Sequence, residues 1–181
     1  MNLYNSLSLT LTKKYILKIL TAGEGGVGKT TLLKRYVEGN FTSGTKLTVG
    51  IEFFVKEFTL AENHCALQLW DFGGQDRFRF LADSYVMGAK GALLMFDLTR
   101  ISTLETVSEW VSLLRSCNEN LPIVLVGTKL DLEEDITIDD NYALSIKEEY
   151  NFFDYIKISS KTGVGVEDTF IRLVKKIIYK E

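Results

Sequence analysis

The sequence is poor in the residues that staple or metallate small domains. It holds two cysteines, Cys65 and Cys117, one histidine, His64, and one proline, Pro122. Two thiols cannot make a disulfide framework or a four-cysteine metal site, and a lone imidazole excludes His-rich metal chemistry. The expected home is therefore a reducing cytoplasm. Long apolar runs are also missing: Gly91 to Phe96 stops at Asp97, well short of the roughly 18–20 residues that cross a bilayer. Neither charge sign dominates, with 21 Lys+Arg against 24 Asp+Glu and a net charge of -3, so no general field draws nucleic acid to the chain. The opening MNLYNSLSLTLTKK lacks the basic start of a secretory leader. Asn2 replaces the glycine that N-myristoylation requires, and no cysteine follows Cys117, so no lipid-anchor motif is expected.

What remains is the material of one ordinary domain: 181 residues, 46% hydrophobic and 25% charged, enough to bury a core without cross-links. The sequence divides into an N-terminal arm, 1–14, and a single domain, 15–181. In the arm, Leu7, Leu9 and Leu11 alternate as a strand would, while Leu3, Leu7 and Leu11 share one helical stripe beside Tyr4, with Lys13 and Lys14 behind. Two readings stay open: an arm packed on the domain or frayed from it, and a helix lying on a membrane surface.

From Tyr15 apolar runs alternate with periodic segments. Strands are expected at 15–22, 51–60, 65–70, 91–97, 122–127 and 155–159, with His64 in the turn joining the second and third. Helices are expected at 31–39, near 81–87, at 102–118, near 139–150 and at 166–180. This order predicts an α/β fold: a mostly parallel six-stranded sheet with one antiparallel edge strand and helices on both faces. Ligands of such sheets bind at the carboxyl ends of the strands, and four candidate motifs begin where a strand ends.

The first is Gly23-Glu-Gly-Gly-Val-Gly28-Lys29-Thr30, which follows a strand and opens a helix. Glycines let backbone N–H groups turn inward around a phosphate, a lysine there neutralises the β- and γ-phosphates, and the hydroxyl of Thr30 suits Mg²⁺, with Thr31 placed toward the α-phosphate. The second, Asp71-Phe-Gly-Gly-Gln75, sets a carboxylate at a strand end before two glycines that let a backbone N–H approach a γ-phosphate. The third is Thr128-Lys129-Leu130-Asp131. An ionised carboxylate only accepts, so Asp131 fits the two donors on the guanine edge and opposes the ring acceptor of adenine. Sites built on such bonds reject the wrong ligand by about 10⁴–10⁵-fold. The fourth is Ser159-Ser160-Lys161.

With these motifs in this order, residues 15–181 resemble a small GTPase of the Ras superfamily, nearest in pattern to its Rab and Rho branches. The resemblance implies the P-loop NTPase fold and a switch that hydrolyses GTP to GDP and phosphate with Mg²⁺. It implies that Gly25, Gly26, Val27, Gly28, Lys29, Thr30 and Thr31 hold the phosphates and that Phe41 stacks on the guanine. Thr48 would close on Mg²⁺ and the γ-phosphate, Asp71 would hold the metal through water, Gly74 would donate to the γ-phosphate, and Gln75 would orient the attacking water. Thr128, Lys129 and Asp131 would read the base under a cover of Ser159, Ser160 and Lys161. Implied partners are an exchange factor, a GTPase-activating protein and effectors; contact with a membrane would be peripheral, through a partner or the arm.

Four positions depart from the family pattern. Thr128 stands where most of the superfamily has Asn, although the Rho branch shares Thr; a hydroxyl can still donate to guanine N7, and one lost amide hydrogen bond costs about 1 kcal/mol net. Gly73 makes the Asp-x-Gly-Gly-Gln run more like the Arf and heterotrimeric G-protein α branches. Thr45 occupies a switch I position that Ras and Rab relatives usually give to an aromatic ring. The C-terminal prenyl cysteine is missing.

Residues 42–50 hold Lys46 but no arginine. In Ras-type proteins themselves an arginine finger is worth about 10³–10⁵-fold in rate, so slow intrinsic hydrolysis is expected. A GTP-loaded interaction module with little turnover is the alternative; a P-loop ATPase or small-molecule kinase would leave Phe41, Asp131 and Ser159-Ser160-Lys161 without a purpose. His64 reads as a solvated turn residue, Cys65 as core and Cys117 as a helix end. Phe53, Phe54, Phe58, Trp70, Phe72, Phe78 and Phe80 flank or enter the two switch regions, and at least one is expected to meet a partner.

Overall fold

The computed structural model describes residues 12–43, 48–73 and 82–180, and at Ala82 and Asp83 the backbone alone. Six strands, β1 (Lys14–Ala22), β2 (Ile51–Leu60), β3 (Asn63–Phe72), β4 (Gly91–Asp97), β5 (Ile123–Thr128) and β6 (Asp154–Lys157), form one sheet in the order β2-β3-β1-β4-β5-β6. Only β2 and β3 pair antiparallel, and every other neighbouring pair is parallel. The expected six-stranded α/β sheet with its antiparallel edge strand is therefore what the chain forms.

Every residue of β4 and β5 is buried, as uninterrupted apolar strands must be when helices cover both faces of a parallel sheet. On one face α1 (Lys29–Glu38) and α6 (Val166–Tyr179) pack Leu32, Leu33, Phe170 and Leu173 on Ile19, Leu67, Leu93 and Val124. On the other, α2 (Ala82–Val86), α3 (Ser102–Glu105), α4 (Val107–Leu114) and α5 (Asp140–Glu149) cover Leu20, Phe72, Leu94, Phe96 and Ile123. Asp139 starts α5 by accepting from the Asn141 N–H at 2.7 Å, the N-cap bond its residue type favours. The sheet is thus sandwiched, and its strand ends carry the loops that matter.

Three of the departures from the expected boundaries stand out. The β2–β3 turn is only Ala61-Glu62, with Ala61 at φ 51, and lacks the glycine that usually marks such tight turns. His64 accordingly lies in β3 opposite Thr59, not in the turn, and its Nε2 is 3.6 Å from the Glu57 carboxylate across the hairpin. The helix expected over 102–118 is two pieces, α3 and α4, that break at Thr106 and stop at Leu114, leaving Cys117 exposed beyond the end. Leu104, Val107, Trp110, Val111 and Leu114 all face the core, and periodicity reports a shared face rather than a one-residue break. β6 ends at Lys157, so Ser159 begins two residues beyond it.

Candidate functional site

Gly23 follows β1 at φ 131, and a Cβ there would stand 2.1 Å from the Met95 carbonyl oxygen, so only glycine lets the chain cross β4 this closely. The loop then runs through Gly25, Gly26 and Val27 and enters α1 from Gly28, with no side-chain cap and no acidic residue in the first turn. Such a helix start presents uncapped N–H groups and the positive end of its dipole. The loop curls round the Lys29 ammonium, which donates to the Gly23 and Glu24 carbonyls at 2.7 and 2.9 Å. Burial lowers the Lys29 pKa to about 8, against the pull of Asp71 and Glu24.

Beside this loop four oxygen groups, from α1, β1, β3 and the segment leading into β2, converge. Thr30 Oγ1 of α1 lies 2.6 Å from Thr48 Oγ1 and donates to Asp71 Oδ2, which Thr48 approaches at 3.4 Å. Thr21 of β1 donates to Asp71 Oδ1 at 3.2 Å. Asp71 is fully buried at the end of β3, and burial raises its pKa while bonds from Thr30, Thr21 and Thr48 and the charge of Lys29 work against that. Gly73 brings the Thr48 segment in: its N–H donates to the Gly50 carbonyl at 2.9 Å, and a Cβ on it would meet the Thr48 carbonyl oxygen at 2.6 Å.

The third cluster faces the loop from the far side of a cavity of about 550 Å³, whose wall takes in Gly26, Val27, Gly28 and Thr31 as well as Phe41, Lys129, Asp131, Ser160 and Lys161. Ser159, itself buried, donates to Asp131 Oδ1 at 2.6 Å, and Lys161 Nζ stands 3.8 Å from Oδ2. The carboxylate is thereby aimed. Thr128 is buried, with its hydroxyl 2.7 Å from the Val27 carbonyl and 2.9 Å from that of Phe96, which fastens the base-side loop to the phosphate loop. Phe41 is 40% exposed at the rim.

The structure therefore gathers the phosphate-loop residues, Thr48 and Asp71 at one end, and Phe41, Thr128, Lys129, Asp131, Ser159, Ser160 and Lys161 at the other. Gly74 and Gln75 lie outside the described residues, as do Thr45, Lys46, Phe78, Phe80 and the arm up to Leu11. Sequence reasoning missed Thr42, Ser43 and Leu132, which also line the cavity; a Leu or Ser beside a motif carries no signal of its own. It also missed Trp110, whose Nε1 donates to Glu24 Oε1 at 3.2 Å across 86 positions.

Of the aromatics near the switch segments, Phe72 is buried, while Phe54 and Phe58 pack against the α1–α6 core. Phe53 is 51% exposed on the edge strand and meets Trp70 edge-on with centroids 5.6 Å apart. Lys18 Nζ sits 4.0 Å over the Trp70 ring, and exposed Ile16 and Val55 extend the same sheet face.

Comparison with known proteins agrees with this geometry. The sequence pattern of the Ras family matches residues 18–179. Ras-related protein Rab-3C of Bos taurus is 36% identical over 167 residues, covering 92% of this chain and 73% of that protein. Ras-related protein Rab-8B of Dictyostelium discoideum is 34% identical over 164 residues, 90% of this chain and 80% of that one. Ras-related protein RABA1c of Arabidopsis thaliana shows 34% identity over 90% of this chain and 76% of its own length. A buried lysine ringed by glycine backbone, a hydroxyl–carboxylate cluster and an aimed Asp131 thus lie in a chain whose pattern is shared almost end to end, and this chain belongs to the Ras family, as a GTP-binding molecular switch and GTPase.

Proposed function

We propose that the cleft holds guanine nucleotide with its phosphates on Gly25–Thr31 and its base against Asp131. The observation that carries this reading is a single cavity of about 550 Å³ with the phosphate loop on one wall and an oriented acceptor carboxylate on the other. Lys29 draws charge from the β- and γ-phosphates, Thr31 meets the α-phosphate, and Lys129 and Phe41 flank the purine while Ser160 and Lys161 close over it. Asp131 accepts from both donors of the guanine edge, and adenine would face it with a lone pair.

Thr30, Thr48 and water-bridged Asp71 make an all-oxygen donor set of hydroxyls and one carboxylate, which suits a hard cation that keeps much of its own water. Mg²⁺ held there would neutralise charge on the phosphate oxygens. Gly74 donates its N–H to the γ-phosphate, and Gln75 orients a water for in-line attack at phosphorus. Loss of that phosphate frees Thr48 and the Gly74-Gln75 segment, and their two arrangements report the nucleotide state. Because 42–50 contains no arginine, intrinsic turnover is slow and an activating protein supplies the missing charge. The half-open Phe53–Trp70 face, continuous with Ile16 and Val55, is the surface for an effector, exchange factor or activating protein. Among the described residues no helix is long and apolar enough to cross a membrane, and the protein is proposed to act in the cytoplasm, reaching membranes through partners or its arm.

Denaturing protein purified without added nucleotide and separating what it releases by ion exchange tests this reading. Guanine nucleotide, mostly GDP, is expected; adenine nucleotide would refute the role of Asp131. A single-turnover assay that yields no phosphate from bound GTP would replace the switch by a binding module.

A further inference from the structure

A buried carboxylate belonging to neither nucleotide-binding loop stands between them. Asp97 ends β4 with its side chain 0% exposed. Its Oδ1 accepts from the Thr99 N–H at 3.0 Å and the Thr99 hydroxyl at 2.7 Å. Its Oδ2 takes two cations: Arg100 Nε at 2.7 Å and Lys129 Nζ at 2.6 Å. Each of them reaches a different end of the cleft. Arg100 Nη2 extends to the Gly25 carbonyl at 3.3 Å. Lys129 belongs to the base-side loop and sits at φ 64, a left-handed conformation that L side chains rarely adopt and that persists only when its surroundings hold it. The turn itself is prearranged, since Thr103, almost fully buried, accepts from the Asp97 N–H at 2.9 Å and donates to the Arg100 carbonyl at 2.7 Å.

We propose that Asp97 and Arg100 form a positioning pair that clamps the phosphate loop and the base-side loop to one carboxylate, so that both ends of the nucleotide are held or released together. This rests on the cleft being the guanine nucleotide site. Neutral Asn at 97 would offer a single acceptor oxygen and set its NH₂ group against either both cations or the Thr99 donors. Arg at 100 matters for its fork: one nitrogen serves Asp97 while another reaches Gly25, which a single lysine ammonium on a shorter head cannot reproduce. Burial pushes the Asp97 pKa up, but bonds from Lys129, Thr99 and Arg100 outweigh it and hold the carboxyl below its ordinary value.

The test is the release rate of fluorescent mant-GDP from the full chain in Mg²⁺ and excess unlabelled GDP. Arg100→Ala is expected to speed release by about 10-fold, the scale of one charged hydrogen bond. Asp97→Asn, which unties both cations, is expected to be faster still, and the double variant no faster than Asp97→Asn alone, because the two act as one unit. Arg100→Lys should behave like Arg100→Ala. Wild-type release from Arg100→Ala and Asp97→Asn would overturn the clamp, and so would multiplying effects in the double variant or full rescue by Lys. The urea midpoint of nucleotide-free Arg100→Ala should match wild type; a lower midpoint in step with faster release would mean a merely structural salt bridge and also overturn it. If Asp97→Asn does not fold, the exposed Arg100 decides by itself. Wild-type protein that binds no guanine nucleotide would sink the nucleotide reading instead, a result distinct from any of these.

Discussion

The hydroxyls of Thr30 and Thr48, eighteen residues apart in sequence, stand 2.6 Å from one another beside the same oxygen of Asp71. One belongs to the first helical turn after the phosphate loop and the other to the segment leading into β2, so the contact joins a helix to the segment that the proposed function makes responsive to the nucleotide. Removing the Thr48 hydroxyl alone should affect the triphosphate state more than the diphosphate state. Thr48→Ala is expected to weaken binding of a non-hydrolysable GTP analogue by about 10-fold, the scale of one lost charge-assisted contact, with little change for GDP. Competitive displacement of a fluorescent nucleotide reads both affinities, and equal losses for the two would remove Thr48 from state sensing.

Gly73 tests how that segment is held. Its absent Cβ makes room for the Thr48 carbonyl, which as backbone cannot swing away. Gly73→Ala should therefore push the Thr48 segment off Asp71 and cost about 1–3 kcal/mol, as overpacking does. Urea unfolding of the GDP-loaded protein gives the cost, and the same variant should lose preference for GTP analogue over GDP. Unchanged stability and unchanged preference would mean the segment docks by other contacts.

Asp131→Asn exchanges an acceptor-only group for one that also donates. Guanine affinity is expected to fall by at least about 10²-fold, and xanthine, which presents an acceptor where guanine presents its amino group, should now compete. Displacement assays with GDP and xanthosine diphosphate measure both, and retained guanine selectivity would place base recognition elsewhere.

Lys29 predicts a pH signature. Burial lowers its pKa in the folded protein to about 8 from an ordinary value of 10.5. The unfolded chain therefore binds more protons than the folded one between those values, and this group's contribution makes the empty protein more stable as pH rises through that window. Nucleotide binding runs the other way, because phosphates need the ammonium charged. GDP affinity should fall as pH climbs above about 8, with uptake of up to about one proton per nucleotide bound. Titration calorimetry at pH 7 and 9 in buffers of different ionisation enthalpy resolves this, and no proton uptake at pH 9 would show that Lys29 stays charged in the empty loop.

Much of this site was legible in sequence because each motif follows an apolar strand, and strand ends in such sheets share one edge. Gly23 and Lys29 could be read because their chemistry demands their residue types. Gly73 could be noticed but not explained, since the carbonyl that excludes a side chain there belongs to Thr48 on another segment. Asp97, Arg100 and Trp110 were silent: an acid ending a strand, an arginine in a turn and a tryptophan on an apolar stripe are ordinary locally, and their meaning comes from partners 32, 75 and 86 positions away. The hairpin turn was expected but drawn too long, through His64 rather than at Ala61-Glu62 alone, and the break at Thr106 was missed, because neither carries glycine or proline.

Glu24 is held by Trp110 of α4, Gly25 by Arg100 of the turn after β4 and Val27 by Thr128 of β5, three separate attachments to four consecutive residues. A loop with that many independent anchors has no slack with which to follow a departing phosphate. Under the proposed function it acts as a fixed seat for the phosphates. On that same proposal, a fixed seat leaves the reading of the bound phosphates to the Thr48 segment that faces it.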